Sequence, residues 1–274
     1  APMLFNLGGG VQVPFSWHAI WIAAVVIEVI TAILVVLFIK MPAVNENTIV
    51  EGDVNKKLVK GKNFMGGAIA VSVAFVVFAY LNVVAFNTMY PSFLQQTKGL
   101  DVSLSSWMTM IASILGAIIG IFCGVIAAKR HWRKSFIVIG YIVWAVIAFF
   151  CLWTPGNDMI GPWIGVIVYG IPLGFVPTCT RALIPRLVVD SKQLDFALST
   201  MGFLMALGKV LGGYFVSPTI MAVGYTGMAQ YTLAPMCIVA AIIVILFVKS
   251  DKYLDELRAK EQQESLEEDV KAVN

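Results

Sequence analysis

Two ionisable side chains lie deep within long apolar segments of the sequence, where their charge could bind a solute or a proton. Lys209 lies within the apolar stretch MALGKVLGG, and Glu28 lies eleven residues from either end of the apolar segment 17–39. If these segments cross a membrane, a charge at this depth costs roughly 2.5–3.5 kcal/mol, so each residue should face a cavity or a partner. Desolvation favours a protonated carboxyl group, which suits proton uptake and release by Glu28. The alternatives are a structural cation paired to a neighbouring helix and a protonated glutamate hydrogen-bonded between helices.

A second group of polar side chains, Tyr80, Asn82 and Asn87, lies near the end of another apolar segment. Tyr80 and Asn87 are seven residues apart and would share one face of a regular α-helix. An amide can bond a solute hydroxyl or carboxylate, and it can equally bond the neighbouring backbone. These residues are therefore candidates for solute contact or for a structural role.

The composition identifies lipid as the solvent of the chain. With 59% hydrophobic and 13% charged residues, the 274-residue chain cannot cover a water-facing surface with polar groups. Polar breaks divide it into seven apolar segments of membrane-crossing length, and few of them alternate in the manner of a barrel strand. The sequence therefore predicts an all-α membrane protein with about seven transmembrane helices: 17–39, 64–89, 104–128, 135–153, 162–180, 196–217 and 230–248.

The distribution of positive charge predicts the orientation. If the seven segments cross alternately, 17 of the 19 Lys and Arg residues lie on one side, Lys98 lies on the other, and Lys209 lies within a helix. The positive-inside rule makes the basic side, including the C-terminus, cytoplasmic in a multi-pass protein of the cell membrane. Arg181 and Arg186, near the basic end of the fifth segment, are expected to be snorkelling anchors rather than ligands.

No arrangement for catalysis or cofactor binding is evident. His18 and His131 are predicted on opposite sides of the membrane, and no Gly-rich loop with a P-loop lysine is present. The four cysteines lie inside apolar segments at spacings too wide for a CxxC pair. We therefore predict no enzyme activity, no metal or cofactor, and no nucleic-acid partner.

The polar segments predict four regions. Residues 1–40 form an external start and the first helix, 41–63 a cytoplasmic connection, 64–248 a six-helix bundle, and 249–274 a charged, solvated and partly helical tail. An odd helix count and a first residue other than Met predict that the chain is a fragment, a processed product or one of two pieces. The first helix would then belong to a preceding bundle.

Glycine spacing predicts close helix contacts in this bundle. Gly116, Gly120 and Gly124 recur every four residues in one segment, and Gly208 and Gly212 do so in another. Small residues at this spacing let another helix approach closely in lipid.

The loop of residues 124–134, GVIAAKRHWRK, is similar to the Gly-x-x-x-Asp-Arg-x-Gly-Arg-Arg loop of the major facilitator superfamily. The Trp-rich residues 15–22 are similar to the start of that family's sixth helix, and the polar connection 41–63 is of the kind that leads to the seventh. Ala128 replaces the acidic residue of the motif, and His131 replaces its Gly. The chain thus resembles the C-terminal part of such a transporter, from its sixth to its twelfth helix.

The resemblance implies secondary active transport of a small organic solute by alternating access. Lys209 on the cavity-lining eleventh helix favours an anion, and Glu28 is the candidate for proton coupling, that is, symport. Tyr80, Asn82 and Asn87 are expected to contact the solute or gate it. The loop motif is expected to act in conformational change through Gly124, Lys129, Arg130, Arg133 and Lys134.

The partners implied are the lipid bilayer, the solute, and a missing N-terminal half or second subunit that completes the cavity. The alternatives are a multidrug or hydrophobic-solute efflux transporter, a heptahelical receptor, and a fragment that does not transport.

Overall fold

The computed structural model describes residues 63–273, apart from residues 157 and 189. Within these residues all regular secondary structure is helical. The first predicted helix and most of the connection 41–63 lie outside the described residues.

The described residues form α-helices and three π-helical segments, whose turns are wider than those of an α-helix. The α-helices are α1 (Met65–Ala79), α2 (Tyr90–Lys98), α3 (Val102–Arg130), α4 (Arg133–Ile147), α5 (Ile160–Leu187), α6 (Ser191–Met228), α7 (Ala234–Phe247) and α8 (Asp251–Val273). The π-helical segments are π1 (Tyr80–Met89), π2 (Ala148–Leu152) and π3 (Ala229–Leu233), and each continues the α-helix before it.

Five helical stretches in this part of the chain are long and apolar enough to cross a membrane: Met65–Lys98, Val102–Arg130, Arg133–Leu152, Ile160–Leu187 and Gln193–Glu261, the last of which includes non-helical backbone at Gly224 and at residues 248–250. The last has 69 residues, or about 100 Å at 1.5 Å per residue, more than three times the thickness of the hydrocarbon core. It must therefore turn back on itself.

The reversal lies at Gly224, whose backbone is non-helical with φ 73° and ψ 173°. A positive φ of this kind is accessible to glycine at little cost. Just beyond it, the Tyr225 hydroxyl donates to Gln96 Oε1 at 3.2 Å, close to the end of α2. The backbone N–H of Asp190, just before α6, donates to Asn63 Oδ1 at 3.3 Å, close to the start of α1. The chain thus crosses the bundle in α6 and returns in α7, which gives six crossings among the described residues.

Two ends of the bundle follow from these contacts. The basic end contains the starts of α1 and α6, the loop between α3 and α4, and the start of α8. At the opposite end, Lys98 Nζ donates to the carbonyl oxygens of Gly156 at 2.6 Å and Asp158 at 2.8 Å. Lys98 thereby joins the end of α2 to the loop before α5.

Glycines set the closest helix contacts, as their spacing predicts. A Cβ atom added at Gly120 would lie 3.0 Å from the carbonyl oxygen of Gly174 on α5, and one at Gly174 would lie 2.2 Å from that of Gly116. A Cβ at Gly208 would lie 2.5 Å from the carbonyl oxygen of Val76 on α1. The α3–α5 and α1–α6 pairs are therefore packed backbone to backbone.

The first and fourth of these helical stretches extend beyond the apolar segments that predicted them. The first continues through π1 and α2 to Lys98, nine residues past the predicted end, with Pro91 in the first turn of α2. Proline has no N–H to donate, and Pro91 closely follows π1, where regular α-helical hydrogen bonding is already interrupted. Helix α5 runs seven residues past residue 180 with Pro172, Pro177 and Pro185 inside it. Tertiary packing holds these segments helical where local composition favours an end.

Candidate functional site

A groove of about 490 Å³ runs along one side of the bundle where π1, α3 and α5 meet. We call it the central groove. Its walls are largely small or apolar, with three polar side chains among them. The lining residues are Asn82, Ser113, Gly116, Ala117, Gly120, Ile121, Leu173, Gly174, Pro177 and Thr178. The glycines that bring α3 and α5 together thus also form the floor of the groove.

The polar atoms of the central groove include several acceptors. The Oδ1 atom of Asn82 is buried and has no hydrogen-bond partner among the described residues. The Ser113 hydroxyl donates to Thr109 O at 3.1 Å, and the Thr178 hydroxyl donates to Gly174 O at 2.8 Å. Because these hydroxyl protons are engaged within their own helices, their oxygens are left to accept from a solute. The groove is suited to a solute that carries hydroxyl or amide donors.

The widened turns of π1 separate the other two residues of the predicted polar group. Tyr80 is 4% exposed, and its Cα would lie 3.5 Å from a Cβ added at Gly212 of α6. Asn87 is exposed and does not line the central groove. In π1 the hydrogen bonds span five residues instead of four, so seven residues no longer complete two turns. The expected shared face of Tyr80 and Asn87 therefore does not form.

Lys209 lies on α6, outside the residues that line the central groove. Its neighbours Gly208 and Gly212 pack against α1 and π1, while Lys209 itself is exposed and has no hydrogen bond or ion pair with any described residue. Nothing lies within 4 Å of a Cβ added at Gly202 or Gly213, one or two turns away. This face of α6 is therefore open in the part of the chain that the structure describes.

Arg181, on α5, is another cation without a partner among the described residues. It follows Pro177 by four residues and Thr178 by three, which places it on the face of α5 that lines the central groove. The side chain is exposed and forms no ion pair with a described residue. The expected role as a snorkelling anchor was based on the position of Arg181 near a segment end. That expectation stays a prediction, and the spacing from Pro177 favours a second interpretation, in which Arg181 extends the lining of the groove.

The loop motif is divided between two settings. Arg133 donates from its backbone N–H to Asp251 Oδ2 at 2.8 Å and from its guanidinium to Asp251 Oδ1 at 3.3 Å. Lys134 Nζ donates to the carbonyl oxygens of Ile245 at 2.9 Å and Val248 at 2.6 Å. Gly124 packs on Thr178, whereas Lys129 and Arg130 are exposed at the end of α3.

Asp251 is the centre of an ion cluster that docks α8 on the basic end of the bundle. This carboxylate is fully buried, and Arg186 lies 3.7 Å from it as well as hydrogen-bonded to Asp255. His131 Nδ1 lies 2.6 Å from Asp255 Oδ2, and Arg258 donates to Arg186 O at 2.6 Å. The tail was predicted to be solvated, but its first two turns are held by these contacts. Arg186 is likewise an ion-pair partner and not a lipid-facing anchor.

Glu28 and the Trp-rich residues 15–22 lie outside the described residues. Among residues 63–273, no three His, Cys, Asp or Glu side chains lie close enough together to hold a metal ion.

The model of the family described as Major Facilitator Superfamily matches residues 1–188 and, in a second and overlapping match, residues 78–272. No curated protein matches the chain significantly.

Proposed function

The chain belongs to the major facilitator superfamily, a family of membrane transporters, and we propose that it moves a small organic anion across the membrane by alternating access. Both the recognition of the family and the prediction of an all-α membrane protein are confirmed. A heptahelical receptor, suggested only by the count of seven helices, is set aside by the family match.

The observation that carries the proposal is the central groove with its unpartnered Asn82 oxygen. A buried polar atom without a partner costs about 1–3 kcal/mol, and a solute donor would recover this free energy on binding. Because the groove is open along one side of the described bundle, a facing bundle must complete the cavity. We propose that it comes from a preceding half of the transporter or from a second subunit.

The proposed solute combines a negative charge with at least one hydroxyl or amide donor. Lys209 and Arg181 lie on open faces of the bundle without acid partners among the described residues, and both would attract an anion. The oxygens of Asn82, Ser113 and Thr178 would accept from its donors. Tyr80 would pack behind the wall of the groove that carries Asn82. Asn87 remains a predicted solute contact, nearer the end of the bundle opposite the basic end.

The conformational step would involve the basic end, which we place on the cytoplasmic side of the cell membrane by the positive-inside rule. Arg133 and Lys134 tie the start of α4 to Asp251 and to the end of α7. Rocking of the bundle against its partner requires such contacts to move as a unit or to separate. Glu28 is the proposed proton site, which makes the transporter a symporter.

Uptake by the purified full chain in proteoliposomes tests the proposal. The probes are radiolabelled malate, succinate, glucose and tetraphenylphosphonium, each with and without a gradient that is acidic outside. We expect malate uptake above succinate uptake, because malate adds one hydroxyl donor, and stimulation of both by the gradient. Glu28→Gln should abolish the stimulation.

The Lys209→Gln variant tests the anion assignment. Loss of an attraction of about 1.4 kcal/mol between the Lys209 ammonium and a solute carboxylate would raise the KM for malate roughly tenfold. Lys252→Gln, which removes an equal charge from a side chain 84% exposed on α8, should leave KM unchanged. Full uptake by Lys209→Gln would contradict an anionic solute. Uptake of tetraphenylphosphonium alone would instead favour an efflux transporter of hydrophobic solutes. If the folded chain takes up none of the probes, this result would favour a fragment that does not transport by itself.

A further inference from the structure

The end of α3 carries two basic side chains that the bundle does not use. At the basic end, Arg133 is paired with Asp251, His131 with Asp255, and Lys134 with two carbonyl oxygens. Lys129 has no partner among the described residues, and Arg130 contacts only the ring of Trp132. The described residues therefore do not neutralise these two positive charges on the surface of α3.

These cations follow an apolar face of α3, at its C-terminal end. Ile118, Phe122 and Val125 precede Lys129 at helical spacing and are 48%, 65% and 51% exposed. Ile126, 44% exposed, lies one turn before Arg130. The central groove is lined by a different face of α3, through Ser113, Gly116, Ala117, Gly120 and Ile121. The apolar face that ends at Lys129 is thus suited to contact acyl chains.

The length of α3 puts these cations at the level of the lipid headgroups. Its 29 residues span about 44 Å, which exceeds the hydrocarbon core and reaches both headgroup regions. Trp132, 47% exposed, lies beside them, with the Arg130 guanidinium 5.3 Å from its ring centroid. A tryptophan at this depth is typical of the membrane interface.

We propose that Lys129, Arg130 and Trp132 form a binding site for the headgroup of an anionic phospholipid. The two cations bind the phosphate and the negatively charged head, Trp132 lies against the glycerol region, and the acyl chains cover Phe122, Val125 and Ile126. Charge complementarity selects an anionic lipid over a zwitterionic one. The adjoining apolar face selects a lipid over free phosphate. This site does not depend on which solute the protein transports.

Native mass spectrometry of the purified full chain in detergent, titrated with phosphatidylglycerol or phosphatidylcholine, tests the proposal. Each cation near a membrane surface contributes about 1 kcal/mol, or roughly fivefold in affinity. The double variant Lys129→Gln/Arg130→Gln should therefore weaken phosphatidylglycerol binding at least fivefold and leave phosphatidylcholine binding unchanged. Because both side chains are exposed, the circular dichroism spectrum should not change.

The matched control is Lys252→Gln/Lys260→Gln, which removes the same charge from exposed positions on α8. It should retain the preference for phosphatidylglycerol. An equal loss in the control, or an unchanged preference in the test variant, would overturn the site. Glycerol phosphate at millimolar concentration should not displace the lipid, and displacement would show a phosphate site instead of a lipid site.

Discussion

At the scale of single residues, the polar chemistry of the central groove is concentrated at a few positions on three helices. Asn82 contributes an amide oxygen with unused hydrogen-bonding capacity, and Ser113 and Thr178 contribute hydroxyl oxygens. Arg181 continues the same face of α5 toward the basic end. Neutral acceptors therefore lie along the groove, and a cation lies beyond its lining residues.

Replacement of Asn82 by Leu should remove the proposed preference for a hydroxylated solute. The loss of one hydrogen bond of about 0.5–1.5 kcal/mol predicts a roughly 3- to 10-fold higher KM for malate and little change for succinate. The measurement is initial-rate uptake of both probes into proteoliposomes. Gln193→Leu, which removes an exposed amide at the start of α6, is the control. An equal rise in both KM values would argue against hydrogen bonding at Asn82.

Replacement of Arg181 by Gln should weaken attraction of the proposed anionic solute without affecting hydrogen bonding to it. We expect a several-fold increase in KM for malate and succinate alike, and a weaker dependence of KM on salt, because the lost interaction is electrostatic. Arg181→Lys should restore most of the salt dependence. If Arg181→Gln lowers neither affinity nor salt sensitivity, Arg181 is an anchor at the lipid interface after all.

At the scale of helices, glycine contacts and widened turns position the groove. Helices α3 and α5 approach closely because Gly116, Gly120 and Gly174 have no side chains. The three π-helical segments lie around a small cavity of about 10 Å³, lined by Leu81, Ala85, Phe86, Ala148, Leu152, Trp153, Tyr169 and Leu233. In π1 the widened turns orient Asn82 toward the groove and Tyr80 toward α6.

A Gly174→Ala substitution should destabilise the bundle. The added Cβ would lie 2.2 Å from Gly116 O and 2.6 Å from Gly120 N, both rigid backbone atoms. Overpacking of this kind typically costs about 1–3 kcal/mol, which would lower the midpoint of thermal unfolding by several degrees. The matched change Gly213→Ala meets no atom within 4 Å and should be neutral or stabilising because alanine favours helix. Equal midpoints for the two variants in detergent would contradict the backbone contact.

At the scale of the whole described bundle, the ion cluster joins parts of the chain that are far apart in sequence. Asp251 and Arg133 are separated by 118 residues and Arg186 and Asp255 by 69. The cluster fixes the start of α8 to the loop between α3 and α4 and to the end of α5. Any movement of the basic end during transport must therefore carry the tail with it or break these pairs.

An Asp251→Asn substitution should release α8. It replaces the buried carboxylate that Arg133 and Arg186 share with a neutral amide that has a single acceptor oxygen, and a hydrogen bond to a charged group contributes about 1.5–3 kcal/mol. We expect faster proteolytic cleavage within residues 259–273 and a lower unfolding midpoint. Glu256→Gln removes only an exposed pair with Lys252 at 3.9 Å and should change stability by less than about 0.5 kcal/mol. Equal cleavage rates in the two variants would show that the cluster does not hold the tail.

The sequence by itself determined the membrane class, the helical fold, the basic end and the close approach of glycine-bearing helices. Each depends on local quantities, namely apolar length, charge distribution and four-residue spacing, which no tertiary contact has to supply. The family resemblance rested on a short loop motif, and the family match confirmed it.

Only the tertiary structure decided which polar residues act together. The split of Tyr80 from Asn87 depends on widened turns, and hydropathy does not reveal where these turns occur. Docking of the tail depends on Asp251 meeting Arg133 across the fold, and the place of Arg181 depends on which face of α5 meets α3. These outcomes are set by contacts between distant segments, and the apolar pattern of a single segment does not specify its neighbours.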